Sequence, residues 1–332
     1  MAGALPVAVA APGPDRLRPM AARPEVSVVI PTRDRWDLLA RSMKGALGQR
    51  DVSLEVVVVD DGSTEQAPSG RFPFDDRRVV IHRNDISRGV AHARNTGIRE
   101  ANADWVAFLD DDDLWAPAKL RTQLDRAAAA PADFVYSAAV IVDSDLEPTR
   151  LLRAPSPGEV RESIRVQNAI PAGQSNVLAT TSLLRELGGF DERLSMSADW
   201  EMWIRLATAG SAQVCPDVHV AWVIHDANMH RVHPKSDAEF ELIAGLHLRD
   251  PATRRRAEIF GAKWRAYSHR RAGERLAASR EYLRTGLAQR SPGLLLRGVA
   301  VLGGESVMGI GGDEPELPAA ADVGWLDGYR SM

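Results

Sequence analysis

Four short apolar runs in the first third of the chain fail to alternate between apolar and polar residues. They are Val26–Ile30, Leu54–Val59, Val79–Ile81 and Trp105–Leu109. A strand with one wet face alternates; a strand covered on both faces does not. Between these runs, residues 34–48 (Trp36, Leu38, Leu39, Met43, Leu47) and 88–101 (Val90, Ala91, Ala93, Ile98) place apolar side chains at helical spacing. Strand and helix in alternation predict a mostly parallel sheet with helices on both faces. Ligands of such sheets sit beyond the carboxyl ends of the strands. Three of those ends carry polar clusters: Thr32-Arg33-Asp34, Asp60-Asp61 and the run Asp110-Asp111-Asp112-Asp113.

The second half reads differently. Residues 133–142 and 218–224 read as strands, and 180–187 and 199–209 as helices. Residues 148–158 read as a loop, and the arginine-rich stretch 251–290 as helical. The expected organisation is a disordered leader over 1–24, a catalytic domain over 25–232, a helical extension over 233–310 and a loose tail over 311–332. That domain divides into a first half over about 25–115 and a second over about 116–232. Prolines interrupt the apolar stretch of the leader, and it lacks the basic start of a signal peptide.

Composition narrows the function. A net charge of -4 argues against a general nucleic-acid binder. One cysteine, Cys215, excludes an internal disulfide and a multi-cysteine metal site, and it fits a reducing cytoplasm. No apolar run is long enough to span a bilayer. The expectation is a cytoplasmic protein, either free or peripheral to the membrane. The basic C-terminal helices have three readings: packing on the catalytic domain, pairing two subunits as a homodimer, or resting on an anionic membrane surface.

Four adjacent carboxylates repel one another, so their surroundings must supply a cation or water. Oxygen-rich clusters suit Mg²⁺ or Mn²⁺ shared with substrate phosphates. The alternative for such a run is a solvated acidic turn. Its place after a hydrophobic strand and before Leu114-Trp115-Ala116-Pro117 favours a site.

The segments VSVVIPTRDR, LEVVVVDDGSTE, SRGVAHARNTGIREA, WVAFLDDDDLWAPAKL and LGGFDERLSMSADWEMWIRLA occur in that order. Together they resemble the inverting family 2 glycosyltransferases of the GT-A fold, over roughly residues 26–230. The resemblance implies an α/β, Rossmann-like sheet flanked by helices, with the C-terminal extension outside it. It implies transfer of a sugar from a nucleoside-diphosphate sugar, UDP- or dTDP-linked by default, to an acceptor hydroxyl or amine by direct displacement. The setting would be natural-product or cell-surface glycan biosynthesis. The acceptor class stays open: small molecule, glycan, lipid-linked or carrier-bound.

The resemblance also implies roles. Pro31, Thr32, Arg33, Asp60 and Asp61 would hold the nucleoside, since a carboxylate accepts from the imide N–H of uracil or thymine. Arg88, Gly89 and Asn95 would follow on the donor side, with Arg94 either facing the donor or pairing inside the fold. Of the run, Asp112 is the expected metal ligand, with Asp110 and His225 as further candidates. Asp110 or Asp111 would bind ribose or water, and Asp113 would cap the next helix. Asp199 is the implied general base; the alternative is a helix N-cap. Ala198 stands where the family usually has Glu, which leaves the acceptor mode open. Gly173, Gln174 and Trp200 fall on the acceptor side, and Trp115 packs beneath the site. A sugar-1-phosphate nucleotidyltransferase would want a glycine-rich basic loop where Pro31-Thr32-Arg33-Asp34 stands. A non-catalytic nucleotide-sugar binder is the remaining alternative.

Overall fold

The computed structural model describes residues 23–68, 70, 72–225, 236–303 and 322–330. The parallel part of the sheet is built by β1 (Val26–Thr32), β2 (Leu54–Asp60), β3 (Val79–Arg83) and β4 (Trp105–Phe108). β1 lies between β2 and β4, and β3 pairs with β2, all in parallel. Alternate residues of β1 and β2 feed two different cores. Val29, Val57 and Val59 face one side, and Val28, Ile30, Val56 and Val58 face the other. This is why the runs do not alternate: both faces are covered. Each of these branched side chains contributes about 1.5–3 kcal/mol by leaving water.

Helix α1 (Trp36–Leu47) covers the second face through Leu39, Met43 and Ala46. Helix α2 (Val90–Glu100) covers the first through Ala91, Ala93 and Ile98. Gly97 lets α2 ride directly on β1, since a Cβ there would fall 2.2 Å from Val29 Cγ1.

Past β4 the sheet turns mixed. The short β5 (Leu114–Trp115) leads into α3 (Lys119–Ala129), β6 (Phe134–Val142) and β7 (Pro148–Leu152). After α4 (Pro157–Ser163) and a 3-10 turn over Gly173–Asn176 come β8 (Leu178–Thr180), α5 (Thr181–Glu186), α6 (Ala198–Ala209) and β9 (Ala212–Val223). The strand order is β3-β2-β1-β4-β8-β6-β9-β5, with β7 on β6. β8 runs antiparallel between β4 and β6. The sequence predicts a loop over 148–158. Instead β7 pairs antiparallel with β6, and a capping box of Ser156 and Glu159 opens α4. Both features come from local pairing that hydropathy does not register.

Helix α7 (Ser236–His247), at the start of the expected extension, packs back on the catalytic body through Ile243. Its His247 Nε2 lies 2.8 Å from Glu201 on α6. Beyond it, the basic stretch is helical as expected and forms two helices: α8 (Pro251–Arg271) and α9 (Arg275–Ala288) break at Gly273, which has φ 76°. α10 (Pro292–Leu302) folds back on α9, where Gly298 meets Leu283 and Ser279. The expected loose tail is docked where it is described. A 3-10 turn, Gly324–Leu326, and α11 (Asp327–Arg330) pack Leu326 and Tyr329 against β5, β6 and β9. Tyr329 Oη donates to Trp115 O at 2.8 Å. Among the described residues no helix is long and apolar enough to cross a membrane.

Candidate active site

A cavity of about 430 Å³ opens beyond the carboxyl ends of β1, β2 and β4. One wall comes from Pro31, Thr32, Arg33 and Arg35 after β1, Asp61 after β2, and Ser87, Gly89, Val90, Ala93 and Arg94 around the start of α2. Asp110, Asp111 and Asp112 form its floor. Gln174, Ser195, Met196, Asp199 and Trp222 close the other side.

The aspartate run divides, each residue finding different partners. Asp110 pairs with Arg94 Nη2 at 2.9 Å and also accepts from Gln174 Nε2. Asp111 accepts from Thr32 Oγ1 at 2.7 Å and from Arg35 Nη1 at 3.1 Å. Asp112 faces the same Arg35 nitrogen at 2.9 Å and His225 Nε2 at 3.2 Å. Asp113 does not cap a helix: α3 begins at Lys119, with Ala118 as its cap. Asp113 is buried, accepting from Ser175 Oγ at 2.5 Å and from Val223 N at 3.2 Å. The next helix starts too far along the chain for Asp113 to reach, so its carboxylate ties β9 to the 3-10 turn.

Burial and the neighbouring Asp112 push Asp111 up to about 7. The same two effects raise Asp113, and burial raises Asp110 against the pull of Arg94. Carboxylates held this way favour a proton or a cation. Oxygens of Asp110, Asp112 and Asp113 lie within 4.8 Å of one another. One guanidinium nitrogen of Arg35 already bridges two carboxylates of the run. The donor set is therefore suited to a hard divalent ion. His225 reaches the cluster through Asp112. The histidines expected to support it, His230 and His233, and Asn228 lie outside the described residues.

Asp60 and Asp61 separate cleanly. Asp60 is buried, pairs with Arg83 Nη1 at 2.7 Å and accepts from Ser63 N; it is absent from the cavity wall. Asp61 lines the cavity and accepts from Arg88 N, Gly89 N, Ser87 Oγ and Asn84 Nδ2. Burial alone would raise it, but these bonds win and hold it below the usual carboxylate range. Gly62 makes the turn possible: its φ is 74°, and a Cβ there would lie 2.7 Å from Ser87 N.

Arg88 contributes its amide to Asp61, while its side chain is exposed beside Glu192 at 3.8 Å. Asn95 is buried and outside the cavity wall. Its amide donates to Phe190 O and Glu192 and accepts from Phe190 N, clipping α2 to the 190 loop. Trp200 likewise turns away: its indole donates to Ile164 O and stacks on Phe240. Trp115 is fully buried, as expected for packing, with its indole on Ser175 O and Lys119 Nζ 4.1 Å from its ring.

Asp199 sits in the first turn of α6, behind the N-cap Ser197. Its carboxylate accepts from Asn168 Nδ2 at 2.7 Å and from Trp200 N at 2.7 Å. Burial pushes it up to about 6, against the pull of Arg94. Gly173 packs against it: with φ at 50°, a Cβ at 173 would come 2.7 Å from Asp199 Oδ2. Ala198 is fully buried in the apolar cluster with Met202, Trp203 and Phe190, so at this position the packing holds a methyl group and no carboxylate.

Three residues escaped the sequence reading. Arg35 bridges the aspartates but sits among the four charged residues 33–37, where sequence cannot say which one turns inward. Asn168 contacts Asp199 from a loop. Glu239 arrives from α7, accepting from the amides of Ser195, Met196 and Ser197 and from Ser195 Oγ at 2.5 Å. It serves as a remote cap for the helix that carries Asp199. Their only sequence signal is polarity.

The model of the family described as "Glycosyl transferase family 2" matches residues 27–186. The chain is similar to the succinoglycan biosynthesis protein ExoO of Rhizobium meliloti, at 29% identity over 81% of this chain and 79% of that one. It is also similar to the UDP-Glc:alpha-D-GlcNAc-diphosphoundecaprenol beta-1,3-glucosyltransferase WfgD of Escherichia coli, at 29% identity over 36% of this chain and 47% of that one. In fold it is similar to S. aureus TarS 1-349 in complex with UDP-GlcNAc. That match has a TM-score of 0.59 at 17% identity and covers 79% of this chain and 80% of TarS 1-349. The matched span carries β1–β4, the Asp-Asp-Gly turn and the aspartate run. The architecture is a GT-A fold, and the alternatives of nucleotidyltransferase and non-catalytic binder give way: the chain is a glycosyltransferase, and its residues 27–186 belong to family 2.

Proposed function

We propose that this glycosyltransferase moves a sugar from a UDP- or dTDP-sugar to an acceptor hydroxyl or amine by direct displacement, with inversion, in the assembly of a cell-surface glycan. The observation that carries the reading is the placement of Asp199 across one cavity from Asp110, Asp111 and Asp112. Such an arrangement holds a leaving diphosphate on one side and a proton acceptor on the other. The names of the relatives support the setting: WfgD is a UDP-Glc-dependent glucosyltransferase, ExoO a succinoglycan biosynthesis protein.

The nucleoside lies along Pro31, Thr32, Arg33 and Asp61. The amides of Arg88 and Gly89, fixed by Asp61, keep that rim in place. Asp110 and Asp112, with His225 beside them, would hold Mg²⁺ or Mn²⁺, which when bound neutralises charge growing on the diphosphate. Arg35 and Arg94 keep the carboxylates apart and aimed. On the acceptor side, Gln174 and the 195–196 loop shape the entrance. Asp199, ionised, takes the proton of the acceptor group as that atom bonds to the anomeric carbon. The bond from that carbon to phosphate breaks, and its electron pair leaves with the nucleoside diphosphate. Protonated Asp199 then releases its proton to water. A resting value of about 6 keeps Asp199 mostly ionised at neutral pH while leaving it a stronger base than a free carboxylate.

The test is turnover of UDP- and dTDP-sugars with Mn²⁺, with Mg²⁺ and with EDTA, and NMR of the product's anomeric configuration. The reading predicts loss of activity in EDTA, its return on adding either ion, and an inverted product. Full activity in EDTA or a retained configuration would sink it.

A further inference from the structure

Residues 251–303 differ in charge from the rest of the chain. They hold eleven arginines and one lysine against three glutamates, a net +9, so the remainder of a chain of net -4 carries -13. Several arginines are already paired: Arg254 with Glu241 and Glu258, Arg265 with Glu281, Arg284 with Asp237. Arg256, Arg275, Arg280 and Arg290 are exposed and have no acidic partner among the described residues.

The same segment carries seven of the eleven exposed large apolar side chains among the described residues. They are not scattered, as solitary surface leucines would be. On α10, Leu294, Gly298 and Val301 are buried toward α9, yet Leu296 (64% exposed), Val299 (62%) and Leu302 (49%) face outward. Residues 292–303 contain one charge, Arg297. A helix apolar all round belongs in a covered place. On the adjacent α9, Leu276, Arg280, Arg284 and Leu287 fall at spacings of four, four and three, a single stripe in which leucine and arginine share one face. Leu276 and Leu287 are 79% and 69% exposed.

We propose that the α9–α10 hairpin is a membrane-docking surface: α10 lies in the plane of a bilayer and the arginines engage anionic headgroups. Charge decides between occupants. A second copy packed hairpin to hairpin would bring +9 against +9, whereas an anionic leaflet attracts the arginines. α10 has 11 residues, about half the length needed to span a bilayer, so it lies on the surface. The inference stands apart from the donor and mechanism proposed above, and it would bring the cavity to an acceptor carried on a lipid.

The test is flotation of the full-length protein with vesicles of phosphatidylcholine alone or with added phosphatidylglycerol, at low and high salt. The expected result is flotation with the anionic vesicles only, weakened by salt. Leu296→Glu/Val299→Glu should lower the bound fraction about tenfold or more and leave the melting temperature and turnover of a soluble acceptor unchanged. Arg280→Glu/Arg290→Glu should do the same. Wild-type protein that stays in the soluble fraction with anionic vesicles overturns the proposal. So does a double-leucine variant that floats as well as wild type. A sedimentation-equilibrium dimer that Leu296→Glu/Val299→Glu dissociates also overturns it, since the face would then belong to a second copy.

Discussion

The two walls of the cavity are built by different means. The wall we assign to the donor is made at the ends of three neighbouring parallel strands, β1, β2 and β4, and its carboxylates are held redundantly. Asp61 alone accepts from four residues, and Arg35 and Arg94 steady the aspartate run. The wall we assign to the acceptor gathers a 3-10 turn, a loop and the start of α6, with Asn168 and Glu239 reaching in from outside. The first wall rests on bonds among adjacent strand ends and the start of α2, the second on Asn168 and Glu239, which reach it from other elements.

The largest effect should come from the acceptor wall. Asp199→Asn keeps the shape and loses the base, so kcat should fall about 10²–10⁴-fold. Nucleoside-diphosphate affinity, measured by calorimetry, should stay the same. If Asp199→Asn turns over at the wild-type rate, the base lies elsewhere and the division of labour between the walls fails. On the donor wall, Asp112→Asn should cost about 10²-fold in kcat/KM, and it should weaken Mn²⁺-dependent binding of the nucleoside diphosphate as well. A variant impaired in kcat with that binding intact would mean that Asp112 does not work on the donor side.

How legible each wall is in the sequence follows from the same difference. Asp61 directly follows β2 and the run from Asp110 to Asp112 begins two residues past the end of β4, so an apolar run ending in acids is enough to place them on one edge. The same rule could not tell Asp60 from Asp61, because the choice depends on which face of the turn meets Arg83. It also misassigned Asp113, whose partners Ser175 and Val223 are 62 and 110 residues away. Asp199 was visible only through resemblance to a family. Asn168 and Glu239 carry no local pattern, since one hydrogen bond across 31 residues and four across about 43 leave no periodicity to read. The 322–330 segment is similar: composition marks a tail, but Leu326 and Tyr329 pack on the sheet, Tyr329 bonds Trp115 O, and Arg330 bonds Leu146 O, all contacts across more than 180 residues or between distant strands.

Glu239 offers a way to sharpen the comparison, because it touches the acceptor wall and no donor residue. Glu239→Ala would leave the amides of Ser195, Met196 and Ser197 without their shared acceptor, at a cost of about 1–3 kcal/mol. Thermal denaturation should show that loss as a lower melting temperature. At a temperature where the variant is folded, kcat should drop while donor affinity holds, since the loop it releases precedes Asp199. Equal losses in kcat and in nucleoside-diphosphate affinity would show that the walls are mechanically one unit.

The smallest expected effect concerns proton affinity. Burial holds Asp199 up at about 6, so kcat should fall as pH drops through that value and the base takes a proton. Asn168 donates to the carboxylate and favours its ionised form. In Asn168→Ala that support is gone, the proton is held more tightly, and the acid limb of the kcat profile should move upward. A neutral hydrogen bond is worth about 1 kcal/mol and one pH unit about 1.4 kcal/mol, so the displacement should be about 0.7 of a unit. The plateau rate at high pH should change little, because the ionised base is the same in both enzymes. A limb that stays put, or moves toward acid, would mean that some group other than Asp199 sets it.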